Sequence, residues 1–510
     1  MEYNLSKNNI SYVSNFLDTV NEQIVDVDIT LPDYCPDIEK ILKCTLAPKI
    51  YTKKISGGQL SIDGVSSVRI MYCDSIRHSI RSFEQTVPFT ATFNLKSTPE
   101  QYVVQALTKC EYINCRALSP RKLVVHGAFS LYAKVLSKDY TELYSFDEDS
   151  DLQVKHKEYE VSDLCSLCEE QFSVTEDVSV SGKPPVEALL SYEVTPKITD
   201  VKSIHNKIML NAELTLHAMY ISDLEKCSVE HITYVFPINR IIDCENVTDT
   251  TLNVPSLSVM SYDLHIKNDT LSDNSVLTLD VKLSFCETGY HTKTVTLIED
   301  CYSTKYHTDT KKKGINCESN HRFESFTHIT KSSVNLDNIK IAGVLNISHD
   351  SLTLTPIISD AKLSFNGKTN VCILLQDAEN EVNYIERTVD IEFSPELSSQ
   401  FDRVEKNSCC INSISYRLVN ENEIELRLEL KTDVVFCDVL SANPVVSVEA
   451  KEDSEKTHDD SSLVLYFADK VESVWHTAKK YSTKESILID ENSLESDVLE
   501  YATMLLVPTE

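Results

Sequence analysis

Glycine is scarce in this chain: 9 occur among 510 residues, where ordinary usage would supply about 7%. None of them builds a dinucleotide fingerprint or a phosphate-cradling loop, so nucleotide-binding enzymes lose their main signature. The chain also lacks the G-x-S-x-G nucleophile elbow and the H-E-x-x-H helix, although it has 14 histidines. No apolar run approaches the ~18 residues that a membrane-spanning helix needs. The first residues, MEYNLSKNNISYVSNFLDTV, lack the basic region, apolar core and small-residue cleavage site of a secretory signal. A cytosolic location without membrane insertion is therefore expected. Positive charge is short as well: 48 Lys and Arg stand against 79 Asp and Glu, for a net charge of −31. That balance disfavours nucleic acid and anionic lipid surfaces as partners.

Cysteine is plentiful, with 16 in the chain. Scattered through a long, signal-less sequence, these read as reduced and mostly buried thiols. Cys165 and Cys168 form a lone C-x-x-C with no second pair at zinc spacing. Cys409 and Cys410 are adjacent, so on a strand their thiols face opposite sides. Packing is expected for both pairs, with no metal site and no cofactor. Carboxylate runs such as Asp147-Glu148-Asp149-Ser150-Asp151 and Asp459-Asp460 sit in polar surroundings and read as solvated loops or linkers. An enzyme is not expected.

What the chain does contain is repetition. Residues 46–64 (LAPKIYTKKISGGQLSIDG) are echoed by residues 194–212 (VTPKITDVKSIHNKIMLNA), with Pro48-Lys49-Ile50 matched by Pro196-Lys197-Ile198, 148 positions on. A third copy ends in LSFNG at residues 363–367, against LSIDG at 60–64, an offset of 303. A fixed period is a statement about architecture. Each copy continues into an alternating run, at residues 65–72, 213–220 and 368–375, and each has a second alternating block at 122–135, 275–285 and 422–436. Alternation over such lengths argues half-buried strands. A short apolar segment precedes each first half, at 38–42, 186–190 and 341–345, and Pro36 and Pro185 before two of them suggest short helix starts.

The resulting division is a first β domain at 1–150, a second at 151–300, a third at 301–447, an acidic linker at 448–460 and a compact terminal module at 461–510. The β domains are expected to be antiparallel sandwiches or barrel-like. In the module, YFADKVESVWHTAKKY begins as a strand, turns, and becomes a helix with Val474, Trp475, Ala478 and Tyr481 at helical spacing. A second helix at 487–491 and a closing strand at 504–507 before Pro508 give a small α+β module of order strand, helix, helix, strand.

The string LPDYCPDIEKIL at residues 31–42, continued through Gly64, Tyr72, Val87-Pro88-Phe89 and Ser119-Pro120-Arg121-Lys122, resembles the SPOCS domain of endospore-forming bacteria over residues 26–136. The second and third units resemble it as degenerate copies: Ala212 stands in place of the glycine, and neither keeps the proline-rich entry string. The terminal module is similar to LysM, whose framework positions match Tyr466, Trp475, Ala478, Tyr481, Asn492 and Pro508. It departs where Val471-Glu472 and Tyr501-Ala502 replace a Gly-Asp and a Pro-Gly pair beside that family's glycan groove.

SPOCS-like repeats followed by LysM resemble the SipL family of spore-envelope morphogenetic proteins. That resemblance implies a non-enzymatic scaffold in the mother-cell cytoplasm at the forespore surface and in the spore coat. It implies as partner the coat basement ATPase, stage IV sporulation protein A. The alternative is peptidoglycan binding, to cortex or cell wall, through the LysM-like module. The residues expected to meet a partner are Asp469, Lys470, Val471, Glu472, Ser473, Asn492, Glu500 and Tyr501; Trp475 reads as a core anchor.

Overall fold

The computed structural model describes residues 5–146, 151–180, 182–223, 225, 228–268, 275–336, 339–359, 362–456 and 463–508. The acidic runs at 147–150 and 459–460 lie outside these residues.

The alternating segments form strands, and three times in succession six strands adopt one topology. The first unit comprises β1 (Leu5–Thr30), β2 (Ile38–Ser56), β3 (Gln59–Asp74), β4 (Ile80–Asn94), β5 (Tyr102–Ser119) and β6 (Lys122–Phe146). They make two antiparallel sheets, ordered β2-β3-β4 and β1-β6-β5. In the second unit β7 (Leu152–Ser179), β8 (Ala188–Ile204), β9 (Lys207–Asp223), β10 (Ser228–Asp243), β11 (Leu252–Asn268) and β12 (Ser275–Ser303) pair as β8-β9-β10 and β7-β12-β11. After the short β13 (Tyr306–Lys312), the third unit uses β14 (Ile315–Asn335), β15 (Ile341–Ser359), β16 (Lys362–Asp377), β17 (Val382–Phe393), β18 (Arg403–Asn420) and β19 (Glu423–Ala442). Its sheets are β15-β16-β17 and β14-β19-β18.

Each unit is a sandwich, which resolves the choice between sandwich and barrel. In the first, Leu60, Ile62, Val68, Ile70 and Tyr72 of β3 pack against Leu123, Val125, Phe129, Leu131, Ala133 and Val135 of β6. In the third, Val371, Ile373 and Leu375 meet Ile424, Leu426, Leu428 and Leu430. The recurring glycine of the repeat is steric: a Cβ at Gly64 would collide with the Lys49 carbonyl oxygen and the Phe89 ring, and one at Gly367 with the Thr353 carbonyl.

The middle strands bury their second face too, and there the units meet. Leu42, Met71 and Ile80 of the first unit, Leu190, Met219 and Ile221 of the second, and Leu374 of the third share one cluster, joined by Leu345 and Val382. Leu42, Leu190 and Leu345, like Met71, Met219 and Leu374, stand at the same repeat offsets of 148 and 303. Equivalent positions therefore converge as they would around a threefold axis. Ile10 and Leu143, Val161, Val295 and Leu297, and Ile315 and Cys317 form another such three-way cluster. Between the first two units, Lys53, its side chain 2% exposed, pairs with Glu169 at 2.8 Å. Lys49 of the repeated Pro-Lys-Ile string reaches Asp263 of the second unit at 2.7 Å.

Two expectations fail here. The apolar segments at 38–42, 186–190 and 341–345 are not helical; they run into β2, β8 and β15, because pairing with the middle strands (Ile41 opposite Tyr72, Leu189 opposite Tyr220) satisfies their backbone. The entry loops serve the chain differently: Tyr72 Oη donates to the Pro36 carbonyl at 3.3 Å, and Tyr220 Oη to the carbonyl of Pro184, the residue before Pro185, at 3.1 Å. The stretch expected as an acidic linker is strand through Glu455, since β20 (Val445–Glu455) pairs antiparallel with β13.

The entry string of the first unit is held by Arg121. Its guanidinium donates to the carbonyls of Cys35 (3.1 Å), Leu31 (3.2 Å) and Pro32 (2.7 Å) and to the Asp37 carboxylate (2.8 Å). Arg121→Ala should lower unfolding stability by about 2–4 kcal/mol, because one truncation strands several acceptors. Denaturant unfolding measures this, and Arg121→Lys should recover only part of the loss.

Candidate partner-binding surface

The terminal module consists of β21 (Leu463–Ala468), α1 (Val474–Tyr481), α2 (Glu485–Glu491) and β22 (Thr503–Pro508), the strand, helix, helix, strand order read from the sequence. β21 and β22 pair antiparallel, with Leu463 opposite Pro508 and Phe467 opposite Met504. Their inward residues Ala468, Leu505 and Val507 pack with Val474, Trp475 and Ala478 of α1 and Leu488 of α2. Tyr466 meets Tyr481 edge-on at 5.6 Å, and Lys480 lies 4.5 Å from the Tyr466 ring centroid.

Trp475 is a core anchor, and it does a second job that its helical spacing does not reveal. Its indole N–H donates to Asp300 Oδ2 at 3.0 Å, and its ring meets Tyr302 edge-on at 5.0 Å. Asp300 and Tyr302 belong to β12. Lys479 Nζ lies 2.7 Å from both Asp300 oxygens, and the buried Tyr302 hydroxyl donates to the Thr483 carbonyl at 2.7 Å. Lys456 adds bonds to the Ser303 carbonyl and Ser482 Oγ. The module thus sits on the second unit by its α1 side. Burial alone would raise the Asp300 pKa, but the bonds from Lys479 and Trp475 outweigh it and hold the carboxyl below its usual value.

The residues expected to meet a partner divide into three groups. Asp469, Lys470, Val471, Glu500 and Tyr501 are exposed. Glu472 and Asn492 are instead spent on the module itself. Glu472 accepts from Tyr466 Oη (2.8 Å), the Asp469 N–H (3.0 Å) and Thr477 Oγ1 (3.3 Å). Asn492 binds the carbonyls of Leu488 and Leu506 and accepts the Leu506 N–H at 2.7 Å, clamping β22 to α2. Ser473 is half-buried, and its hydroxyl lies buried at the start of α1. The loops carrying these residues are zipped together by Val471 N–H to Leu499 O (2.8 Å), Leu499 N–H to Glu472 O (3.0 Å) and Val474 N–H to Asp497 O (2.8 Å).

Val471 marks strain in this surface. Its φ is 71°, a left-handed conformation that a β-branched residue adopts at a cost, and its side chain is 69% exposed. It stands where the LysM resemblance places a glycine. A larger feature escaped the sequence reading. Leu463, Leu465 and Phe467 of β21 and Met504 of β22 form the outer face of the two-stranded sheet, with Phe467 77% exposed; Tyr501, 72% exposed, adjoins it. The signal was present in LVLYFA: six apolar residues in a row bury one face of a strand and leave the other apolar and uncovered.

Among groups that could bear chemistry, Cys165 donates to the Gly289 carbonyl at 3.1 Å, and burial pushes its thiol pKa up, away from a reactive thiolate. Cys409 packs on the third core while Cys410 is exposed, as alternation requires. A cavity of about 360 Å³ lies between the first and third units, lined in part by Lys43, Cys44, Cys115, Tyr384 and Glu386.

Three sandwiches closing on a common core, with a docked α+β module, define a tandem-repeat β protein. Compared with known families, the chain matches the model "SipL, SPOCS domain" over residues 37–118 and 185–265. Two regions of the chain are thus similar to the SPOCS domain of the SipL type. The matches span β2 to β5 and β8 to β11, so the second copy, read from sequence as degenerate, is matched over the same elements as the first. No curated protein and no solved structure matches the chain.

Two outcomes follow for the module. Val471→Gly should stabilise it by about 1 kcal/mol by relieving the left-handed strain, readable in thermal unfolding of the module's core. Trp475, the chain's single tryptophan, reports docking by its emission. Asp300→Ala should shift that emission to the red at neutral pH. In the wild type, the folded Asp300 pKa is depressed, so its contribution is complete above the unfolded value of about 3.9 and fades as pH falls below it. The red shift should therefore begin only under those acidic conditions.

Proposed function

We propose that this protein is a non-enzymatic scaffold of spore-envelope assembly. Its terminal module, LysM-like in order and framework residues, docks a coat morphogenetic protein, the coat basement ATPase stage IV sporulation protein A. The two SPOCS matches support a sporulation-related role. The observation that carries the docking is the uncovered apolar sheet face of Leu463, Leu465, Phe467 and Met504, bordered by the strained Val471 and by Tyr501. An apolar face bordered by exposed acidic and basic loop residues has the composition of a protein interface. The packed β units act as a rigid platform holding that face away from the repeat core. The protein would then lie in the mother-cell cytoplasm at the forespore surface and enter the coat.

The histidine–carboxylate arrangement that an enzyme would use does not favour catalysis. Where His321 meets Glu318 and Glu405 its side chain is fully buried and only the carboxylates reach the surface, which leaves an organic substrate no approach to the imidazole. Peptidoglycan binding is the rival, and co-sedimentation of the full chain with purified peptidoglycan separates it.

In the full-length protein, Leu465→Asp with Phe467→Asp should cut capture of the coat ATPase in a pull-down by at least about tenfold, the effect of losing one aromatic anchor. Far-UV circular dichroism and Trp475 emission should stay unchanged. Undiminished capture by this folded variant would reject the surface.

A further inference from the structure

Two β-bulges in the third unit aim side chains at one point. The ladder between β14 and β19 is broken between Ser319 and Arg322, where Asn320 takes a left-handed φ of 50° and His321 is displaced. The ladder between β18 and β19 is broken between Val404 and Lys406, which displaces Glu405. Both breaks fall beside the same stretch of β19: Phe436 pairs with Arg322 on one side and Val404 on the other, and Cys437 is next in line, opposite Arg403. Bulges re-aim side chains at the expense of ladder bonds, and two at one level of a three-stranded sheet are a constructed feature.

The delivered groups have the chemistry of metal ligands. One ligand atom each from His321, Glu405 and Cys437 lies within 4.8 Å of the others. His321 Nε2 is 2.9 Å from Glu405 Oε2 and 3.4 Å from Glu318 Oε2. Donor atoms of a tetrahedral site with bonds of about 2.0–2.3 Å lie about 3.3–3.8 Å apart, so small adjustments suffice. His321 Nε2 and Glu405 Oε2 are both fully buried, and neither has a hydrogen-bond partner of proper geometry. With no ion present the imidazolium and the carboxylate meet as a buried ion pair at 2.9 Å; a bound cation would displace that proton and take its place between the same atoms.

The imidazole and the two carboxylates are also braced from behind. His321 Nδ1 is bonded to Ser162 Oγ at 2.7 Å and its ring stacks on Tyr290 at 4.1 Å, which leaves Nε2 to face the carboxylates. Tyr290 Oη donates to the other Glu405 oxygen at 2.9 Å, and Arg403 holds Glu318. This is the outer-shell bracing that fixes a metal-bound imidazole and carboxylate. Ser162 and Tyr290 belong to the second unit, so the cluster spans the seam between units.

We propose that this seam binds one divalent transition-metal ion of the zinc type, through His321 Nε2, Glu405 Oε2 and Cys437 Sγ, with Glu318 as fourth ligand. The mixture of imidazole, thiolate and carboxylate selects zinc-like ions over magnesium or calcium. The partial exposure of Glu405 and Glu318, 21% and 26%, gives an ion a way in. Bound there, the ion fastens the third unit to the second.

The test is titration of chelator-stripped full-length protein with zinc by calorimetry, and with cadmium by ultraviolet absorption of the thiolate band. One saturable equivalent of zinc is expected, with proton release and a raised Tm. Affinity should fall at least tenfold in Glu405→Gln, and the cadmium–thiolate band should drop in Cys437→Ser. Glu405→Gln keeps the side chain's shape, so folding checked by circular dichroism leaves its reading clean. Equal affinity and an equal band in both variants would mean that other thiols bind the metal, and would overturn the site, as would no saturable binding by the wild type.

Discussion

The structure depends on the double burial of each unit's middle strand. A strand with one apolar face closes a sandwich and stops there. β3, β9 and β16 continue: beyond the residues that face their own sandwich, Met71, Met219 and Leu374 point the other way and find each other. A buried side chain of this size contributes about 2 kcal/mol, so three equivalent positions meeting at one place tie the units more firmly than rim contacts could. The repeat period then has a physical meaning, since equivalent residues can share one cluster only if the three units keep the same registers. Lys53 with Glu169 adds directionality, because a buried pair tolerates neither a slipped register nor a missing partner.

The third unit shows which parts of the repeat are essential. It lacks the proline-rich entry string and the buried tyrosine, yet the chain enters its first sheet in the same way. In the first unit the Leu31 N–H meets the Arg121 carbonyl and the Ile38 N–H the Pro120 carbonyl; in the third, the Leu336 N–H meets Asn422 and the Ile341 N–H meets Glu421. Arg121 gathers entry carbonyls in one unit, and Asn422 reaches the carbonyls of Leu336 and Ile339 in the other. The constraint is that the entry loop's acceptors be satisfied, and different side chains meet it. That is why sequence similarity fades across the units faster than topology.

Much of this was legible in the chain, and the limits follow one pattern. Alternation, the two offsets and the module's strand and helix order are local or periodic signals, and they translate directly into β strands, three repeats and a βααβ module. The segments at 38–42 and 186–190 misled because a proline before apolar residues favours a helix start locally, while a waiting partner strand offers every backbone group a bond. Contacts between units left no such trace. Nothing in the spacing of Trp475 points to Asp300, 175 positions away, and nothing in ESNHR announces that a bulge turns His321 into the seam. The acidic stretch at 449–455 read as tether because charge dominates its composition, whereas its pairing with β13 rests on the backbone.

The module's placement constrains how it can be used. Its α1 side, with Trp475 and Lys479, is occupied by β12, and its framework polar groups Glu472 and Asn492 are consumed internally. What remains free is the side away from the helices: the outer sheet face and the loops at 469–471 and 500–501. A groove-type ligand would need the loops to approach it closely, and Val471 places a branched side chain where a backbone approach would require none. A protein partner has no such requirement, because it can bury Phe467, Tyr501 and Val471 as projections. The departures from the LysM-like pattern and the position of the dock argue in the same direction: a branched side chain stands at the edge where a glycan would need close approach, and the apolar relief there suits the protein partner proposed above.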